Sequence, residues 1–452
     1  MNEYTPEQAE KIEQVVSGLR HLLSASELND FKAAIQQEPV LSVRRHPLRY
    51  HLAANTHPVP WCAWGEYLSE RPVFTLHPLF HAGAYYVQEA GSMFLHHVMQ
   101  QILPQHEVRV LDLCAAPGGK STLMALSLRE NDLLIANEVS RPRCSVLREN
   151  IIRHGDPKII VSNNEASDFS SFNGFFDIIL IDAPCSGEGM FRKDENALGE
   201  WSVDNVKQCA VRQKNIIGEI LPALRDGGIL IYSTCTYNAE ENEKQLEYCV
   251  QEFSLENVAM NVPEEWNIFR TKTSGIDAYR FLPHRTKAEG FFLSVMRKPG
   301  NEPHLHLPRE KSSSTKKAEE LKSWLRPEWE YALYMENEKA FIHANARETA
   351  FLKKHLRFAL EKYPLAEKKG KDWIPAPEAV FSAAFHSENF QQLELEKEEA
   401  LRYLKTEDIS TKGEIGWNLI TYQQLPLGWI KQLPNRSNNY YPKEWKIRMQ
   451  LK

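Results

Sequence analysis

Cys185 and Cys235 each close a short aliphatic run, and Asp182 stands three residues ahead of the first. The runs read Leu180, Ile181, Asp182, Ala183, Pro184, Cys185 and Ile231, Tyr232, Ser233, Thr234, Cys235. An ionised thiol is a strong nucleophile, and a carboxyl group can hold or give a proton. Two thiols and a carboxylate in one place suit covalent thiol chemistry on a ring that needs a proton partner. The surrounding sequence predicts such a meeting. An unbroken apolar run of this length reads as a strand buried on both faces of a parallel sheet. Ligands of open α/β sheets sit beyond the carboxyl ends of the strands. Asp182, Cys185 and Cys235 therefore fall over one crevice. A single buried cysteine is ordinarily packing. Two, each just past a strand end in a small or polar turn, are read as more than filler.

A second candidate is Val110-Leu111-Asp112-Leu113-Cys114-Ala115-Ala116-Pro117-Gly118-Gly119-Lys120-Ser121-Thr122, a strand, a turn of small residues and a helix start. Small residues let a ligand approach the backbone, and the helix N-terminus offers free N–H groups. Glu138 ends the next strand, 20 residues after Gly118. A carboxylate at that offset binds ribose hydroxyls. The pairing points to a nucleoside-bearing cofactor. A P-loop is one option: Gly119-Lys120-Ser121 fits its end, but Cys114 replaces its first glycine. The IILIDA strand likewise mimics the aspartate-bearing strand of an NTPase. The Gly-x-Gly-x-x-Gly of a dinucleotide site is absent. S-adenosylmethionine has no phosphate and needs only a ribose carboxylate and an open turn. It is the preferred reading, ahead of a nucleoside triphosphate and of a structural turn with Lys120 in solvent.

The elements that must position these residues alternate. Strands are expected at 108–113, 133–138, 158–163, 176–182 and 228–234, with helices between them. That rhythm makes a doubly wound, mainly parallel sheet. Two later strands, 279–283 and 290–297, are joined too tightly for a crossover and must pair antiparallel. Ahead of the sheet, Thr5-Pro6-Glu7-Gln8 spells a capped helix start, and a second helix is expected from Ser26 to Gln37. Ser42 to Arg49 is a basic extended piece, either a solvated strand edge or a phosphate-contacting strand. Trp61, Trp64 and Tyr67 read as core. Residues 1–75 are expected to form a small α/β lobe and 76–298 the catalytic domain. Residues 299–319, rich in Pro, Ser, Lys and His, read as a linker. A connecting α/β subdomain spans 320–385, with helical segments at Ala318 to Leu325 and Glu348 to Tyr363. A compact β-barrel module is expected over 386–452, where Thr421 to Tyr441 alternates apolar residues.

Bulk composition excludes several classes. Hydrophobic residues make up 42% and charged residues 25% of the 452, as in ordinary globular protein. No apolar run approaches the roughly 18 residues of a membrane span, and the acidic, polar start is not a signal peptide. Seven cysteines, an odd number without C-x-x-C spacing, argue for a reducing cytoplasm and against a zinc site. A net charge of −6 does not mark a nucleic-acid binder overall. The last 22 residues nevertheless carry Lys431, Arg436, Lys443, Lys446, Arg448 and Lys452 against Glu444 alone. Such a basic tail is a solvated surface or an RNA contact.

One reaction needs this set of groups. Carbon 5 of cytosine is too weak a nucleophile to take a methyl group from a sulfonium. A thiolate adding at carbon 6 makes it an enamine carbon, and an acid at N3 helps the addition. The carbon-5 proton must then leave so that the thiol can be eliminated. Cys235 suits the nucleophile: Asn238-Ala239-Glu240-Glu241 reads as a capping box, which would set Cys235 before a helix N-terminus that favours the thiolate. Asp182 suits the ring edge, and Cys185 the release step.

At these residues the chain resembles the Sun-type RNA cytosine-C5 methyltransferases. The matching stretches are YVQEAGSM at 86–93, VLDLCAAPGGKST at 110–122, ANE at 136–138, DAPCSGEGMFRKD at 182–194, STCTYNAEENE at 233–243 and RFLPHRTKAEGFF at 280–292. The resemblance implies a Rossmann-like methyltransferase fold, Cys235 as nucleophile and Cys185 as the residue that assists release. It implies cofactor contacts from Cys114, Ala115, Ala116, Pro117, Gly118, Gly119, Lys120, Glu138 and Asp182. Where the family has an acidic residue after the third strand, this chain has Asn163-Asn164-Glu165, making Glu165 the expected equivalent. Where the family often reads Arg-Val-Asn before a proline, this chain has Arg44-Arg45-His46. The stretch 425–442, LPLGWIKQLPNRSNNYYP, resembles the PUA-like extension of the bacterial branch acting on small-subunit rRNA. Its Tyr440 and Tyr441, beside Arg436 and Lys443, suit base stacking or core packing. The expected protein is a cytoplasmic monomer that uses S-adenosylmethionine, acts on RNA and holds no metal. A tRNA substrate, a P-loop-like nucleotide hydrolase and a non-catalytic ribosome assembly factor stay open.

Overall fold

The computed structural model describes residues 4–49, 57–301, 316–328, 332–343, 351–352, 354–356, 363–409 and 413–450. Two capped helices lead. Thr5 and Gln8 exchange hydrogen bonds at the start of Pro6–Gly18, and Ser24 and Glu27 do the same at Ala25–Ala34. Each box satisfies N–H groups that a helix start leaves open. Strands β1 (Ser42–Arg45), β2 (Gly65–Tyr67) and β3 (Tyr85–Val87) form an antiparallel sheet with β1 in the middle.

The basic stretch is not a solvated edge, because β1 lies in the middle of its sheet. Arg44 is 3% exposed. Its guanidinium donates to Gln88 Oε1 (2.7 Å), to the Gly119 carbonyl (2.7 Å) and to Thr122 Oγ1 (2.6 Å). The central position of β1 buries it, and oxygens of two other segments take its donors. Arg44 thereby braces the lobe against the first turn of the helix Gly119–Ala125.

The main sheet contains β4 (Arg109–Asp112), β5 (Leu133–Asn137), β6 (Ile159–Ser162), β7 (Phe176–Asp182), β8 (Leu224–Thr234), β9 (Glu256–Asn257), β10 (Phe269–Thr273), β11 (Ile276–Phe281) and β12 (Phe291–Arg297). The order is β10-β11-β12-β8-β7-β4-β5-β6, with β9 beside β12. From β8 to β6 the pairs are parallel, and β12, β11 and β10 close the far side antiparallel. This is the expected doubly wound sheet with its terminal hairpin, extended by β10, which the sequence pattern did not reveal. Successive strand residues feed opposite cores. Val110, Leu180 and Ile231 pack with the helices Phe94–Ile102 and Arg141–His154. Leu111, Ile179, Ile181 and Tyr232 pack with Val203–Ile220 and Glu243–Phe253. Burial on both faces is what makes these strands unbroken aliphatic runs, each buried side chain contributing roughly 1.5–3 kcal/mol.

The C-terminal third departs further from expectation. Residues 302–315 of the expected linker lie outside the described residues, and Lys316–Trp324 is a 3-10 helix. Most of the helix expected at Glu348 to Tyr363 is also outside them, and Tyr363 begins a strand. Strands β13 (Ala332–Glu336), β14 (Lys339–His343), β15 (Tyr363–Lys369) and β16 (Asp372–Pro375) form an antiparallel meander. The last sheet is β17 (Gln391–Glu394), β18 (Gly416–Tyr422), β19 (Leu425–Gln432) and β20 (Ser437–Asn439), with β17 and β18 parallel. Tyr441 is 3% exposed and packs on Tyr403, which removes it from any stacking surface. Tyr440 is half-buried, edge-on to Trp417.

The end modules share a core. Val43, Leu79 and Tyr85 of the N-terminal part pack with Leu401, Tyr403, Ile430 and Tyr441. Arg49 donates to the Arg153 carbonyl (2.6 Å) and to that of Phe381. Gly155, in a left-handed conformation (φ 82°), lies so close to Phe381 that an added Cβ would meet its carbonyl oxygen. Among the described residues no helix is long and apolar enough to cross a membrane.

Arg44→Ala removes donors from the buried side chains of Gln88 and Thr122 and from the part-buried Gly119 carbonyl. It is expected to lower unfolding free energy by about 2–4 kcal/mol, read from urea titration of both proteins.

Candidate active site

The order of the main sheet reverses between β4 and β7: the chain leaves β4 toward β5 and β6, then returns to the other side. A crevice opens at such a reversal. Here it is a cavity of about 350 Å³. Asp112, the last residue of β4, and the turn Cys114–Pro117 line it, with Gly119, Lys120 and Asp182. Cys235 and Met190 stand at another side. Tyr86, Gln88 and Glu89 come from the end of the N-terminal lobe, and Glu289, Gly290 and Phe291 from the start of β12.

The lining is acidic. Lys120 is its ammonium group, and it lies 2.8 Å from Asp182 Oδ2. Burial works against that charge, but the Asp182 carboxylate holds Lys120 above its ordinary range. Ser233 Oγ donates to the other Asp182 oxygen at 2.8 Å. Glu289 is met from behind by Arg192 (2.7 Å). Asp112 is fully buried; Ser121 Oγ donates to its Oδ2 at 2.6 Å, and its Oδ1 has no hydrogen-bond partner. Burial, with the charges of Asp182 and Glu138 adding, pushes its carboxyl up to about 7. A triphosphate entering here would meet carboxylates and a lysine already paired.

The two thiols meet because their strands are neighbours. Asp182 of β7 stands opposite Ser233 of β8. Cys185 Sγ and Cys235 Sγ are 2.9 Å apart, and the Cys235 amide donates to Cys185 Sγ at 3.3 Å. The loops touch through glycines. The Gly189 amide donates to the Cys235 carbonyl at 2.8 Å. An added Cβ at Gly189 would lie 2.5 Å from the Gly290 carbonyl oxygen and 2.9 Å from that of Cys235. The segment after Cys235 departs from expectation. Asn238 and Glu241 do exchange hydrogen bonds, but within a turn, and the helix begins at Glu243. Cys235 therefore does not abut a helix N-terminus, and Lys120 is the positive charge that interacts with it.

Family likeness runs along most of the chain. A family described as 16S rRNA methyltransferase RsmB/F matches residues 99–297. The N-terminal domain of 16S rRNA methyltransferase RsmF matches 13–90, and the methyltransferase RsmF PUA domain 390–447. The ribosomal RNA small subunit methyltransferase F of Klebsiella pneumoniae (strain 342) is 31% identical over 92% of this chain and 92% of its own. This chain belongs to the 16S rRNA methyltransferase RsmB/F family. The protein of the same name from Enterobacter sp. (strain 638) is 32% identical over 88% of this chain and 85% of its own. A methyltransferase homolog protein from Pyrococcus horikoshii superposes with a TM-score of 0.50 at 26% identity, covering 65% of this chain and all of that one. NSun6 from Pyrococcus horikoshii, crystallised with SFG, superposes with a TM-score of 0.53 at 20% identity, over 64% and 98% of the two chains. That last likeness is one of fold alone.

Within this RsmB/F-family chain, the expected site residues divide. Cys114, Ala115, Ala116, Pro117, Gly119, Lys120, Asp182 and Cys235 line one cavity, and Cys185 touches Cys235. Gly118 lies outside the lining; its left-handed conformation (φ 112°) turns the chain into the next helix. Glu138 is 1% exposed and is taken up by the Ser140 amide (2.9 Å) and Arg143 (3.3 Å), away from the cavity lining. Glu165 is exposed and exchanges hydrogen bonds with Asp168 at a helix start; Asn163 instead reaches the Glu138 carbonyl at 2.6 Å. Sequence reasoning also passed over Gln88, Glu89, Glu289 and Phe291. All four lie inside stretches noted for resemblance, YVQEAGSM and RFLPHRTKAEGFF, so the signal was present but unassigned. Among the described residues no group of three or more His, Cys, Asp or Glu is placed to hold a metal.

Gly189→Ala must push the cysteine loops apart and is expected to slow methyl transfer to rRNA about 100-fold in single-turnover assays. Folding lifts the Asp112 carboxyl from 3.8 to about 7, so between those values the folded chain keeps a proton that the unfolded chain has released. The associated stability is full below the lower value and is lost as pH rises through the upper. Urea titrations from about pH 5 to about pH 8 should show wild type losing stability, and Asp112→Asn should flatten that loss.

Proposed function

We propose that this chain methylates carbon 5 of a cytosine in small-subunit rRNA, with S-adenosylmethionine as cofactor and Cys235 as nucleophile. The observation that carries the reading is the contact of Cys235 with Cys185 at 2.9 Å, beside Asp182 on an acidic cavity. The names of the relatives, ribosomal RNA small subunit methyltransferase F, support the substrate. The cavity supports the cofactor: Asp112 offers an unpartnered oxygen to a cationic group, and Lys120 is held by Asp182 rather than left for a phosphate. The same pairing counts against a nucleotide hydrolase. When bound, the cofactor supplies an electrophilic methyl group. Cys114–Pro117, Gly119, Lys120 and Asp112 are the residues assigned to hold it, with Glu138 set behind them.

The chain's own residues divide the rest of the work. The target base must leave its stack to reach the sulfur, at a cost of roughly a few kcal/mol. The Cys235 thiolate adds to carbon 6, and the ring electrons move to carbon 5. Asp182, steered by Ser233 and Lys120, is assigned to the pairing edge: as a carboxylate it accepts from the exocyclic amine, and it eases the addition at N3 once it carries a proton to donate there. After methylation the carbon-5 proton passes to solvent water, the electrons of that carbon–hydrogen bond re-form the ring double bond, and the pair of the breaking carbon–sulfur bond returns to Cys235 as thiolate. Cys185, in contact with that sulfur, assists the departure.

The roles are separable on a denaturing gel. Cys185→Ala, incubated with rRNA and S-adenosylmethionine, should accumulate a slow-migrating covalent RNA–protein band. Cys235→Ala should give neither band nor methylation. Absence of the band from Cys185→Ala counts against the assignment, and bisulfite sequencing of rRNA from a deletion strain checks the substrate.

A further inference from the structure

Two sulfurs 2.9 Å apart cannot both carry negative charge cheaply, so when one of this pair becomes the attacking thiolate the other must keep its proton. The side chains are alike, but their surroundings differ. Cys235 faces the cavity, on the side of the Lys120 ammonium. Cys185 has a buried carboxylate anchored to its own loop. Glu241 is completely buried. Its Oε2 accepts from the Ser186 amide (3.0 Å) and from Gln213 Nε2 (2.9 Å), and its Oε1 from Asn238 Nδ2 (2.8 Å). Gln213 Nε2 also donates to the Pro184 carbonyl at 3.0 Å, so the chain on both sides of Cys185 is held through this one group. Every partner of the carboxylate is a donor. The Pro184 carbonyl fixes the orientation of Gln213, and the Glu241 amide, donating to Asn238 Oδ1 at 3.0 Å, fixes that of Asn238. Burial raises the Glu241 carboxyl, while the donors from Asn238 and Ser186 pull it back down and leave a carboxyl proton no acceptor, an arrangement that fits the anion. Glu188, 2% exposed, is a second, accepting from Trp201 Nε1, Asn238 Nδ2 and the Tyr237 amide.

Resting on the reading of Cys235 as nucleophile, we propose that Glu241 is a positioning residue that acts through Cys185: it fixes the Cys185 loop and keeps that sulfur protonated, leaving Cys235 as the sulfur that attacks. The contact with Cys235, burial and then the Glu241 charge push the Cys185 thiol well above its ordinary range. Arg212, on the helix Val203–Ile220, is a positive charge near this cluster and acts on Cys209; the other titratable groups packed here are uncharged or acidic. They are Tyr232, whose hydroxyl donates to the Glu241 carbonyl (2.7 Å), Cys209 on the helix Val203–Ile220, and Glu188. Kept as a thiol, Cys185 can donate its S–H to the Cys235 thiolate, both before addition and as that sulfur departs.

The test titrates Cys185 alone. In the full chain carrying Cys235→Ala, ultraviolet thiolate absorbance is read against the chain carrying both Cys185→Ala and Cys235→Ala. Adding Glu241→Gln, which keeps an acceptor oxygen and removes the charge, should lower the Cys185 midpoint by about one pH unit. Glu241→Asp, which keeps the charge, should leave the midpoint near its parent value. An unmoved midpoint in Glu241→Gln overturns the proposal, and so does a lowered one in Glu241→Asp. The aspartate variant decides by itself where the glutamine variant does not fold. Methyl transfer surviving in Cys235→Ala would instead sink the nucleophile assignment, whatever the titration gives.

Discussion

The parallel pairing of β7 with β8, with Asp182 opposite Ser233, is the constraint that generates the site. It fixes where both strands stop, and so where two loops of different sequence begin. A one-residue slip would turn each aliphatic side chain into the wrong core. The alternation of Ile179 and Ile181 to one face and Leu180 to the other makes such a slip costly. The contact between the thiols is thus secured by hydrophobic burial well behind it. Glycines at 189 and 290 then let the loops and the start of β12 approach at backbone distance.

Charge makes the second selection. Sequence alone leaves Lys120 between a phosphate ligand and a solvated side chain. In the fold it is neither, because Asp182 takes it at 2.8 Å. Nearby, Asp112 keeps a buried oxygen without a partner. A crevice of this sign discriminates between ligands that share an adenosine but differ in the charge carried beyond the ribose.

Legibility in the sequence tracked the range of the interaction. The five parallel strands were readable because burial on both faces leaves an unbroken aliphatic run. The cap of the first helix was readable because its signal lies within four residues; the second helix was expected at Ser26 to Gln37, and its Ser24–Glu27 box was not read. Arg44 was not readable, since its three acceptors lie 44 to 78 positions away. The turn after Cys235 was misread for a related reason. Asn238 and Glu241 do pair, but tertiary partners at Ser186, Glu188 and Gln213 hold the segment out of a helix until Glu243. The meander at 332–375 was missed because its strands, such as Lys339–His343 and Tyr363–Lys369, mix charged with apolar residues and so lack an unbroken aliphatic run. Glu165 was chosen by position along the chain, whereas the structure turns Asn163 toward Glu138.

The apolar seam joining the first and last modules bears on how a large substrate is handled. Val43 and Tyr85 share their packing with Tyr403, Ile430 and Tyr441, and Arg49 latches onto Phe381. The PUA portion is thus mortised into the body of the enzyme and does not swing on a tether. A polynucleotide gripped there is presented at a set offset from the crevice, so the folded span between grip and target nucleotide acts as a ruler. Selection among many chemically identical nucleotides can then rest on the architecture of the RNA.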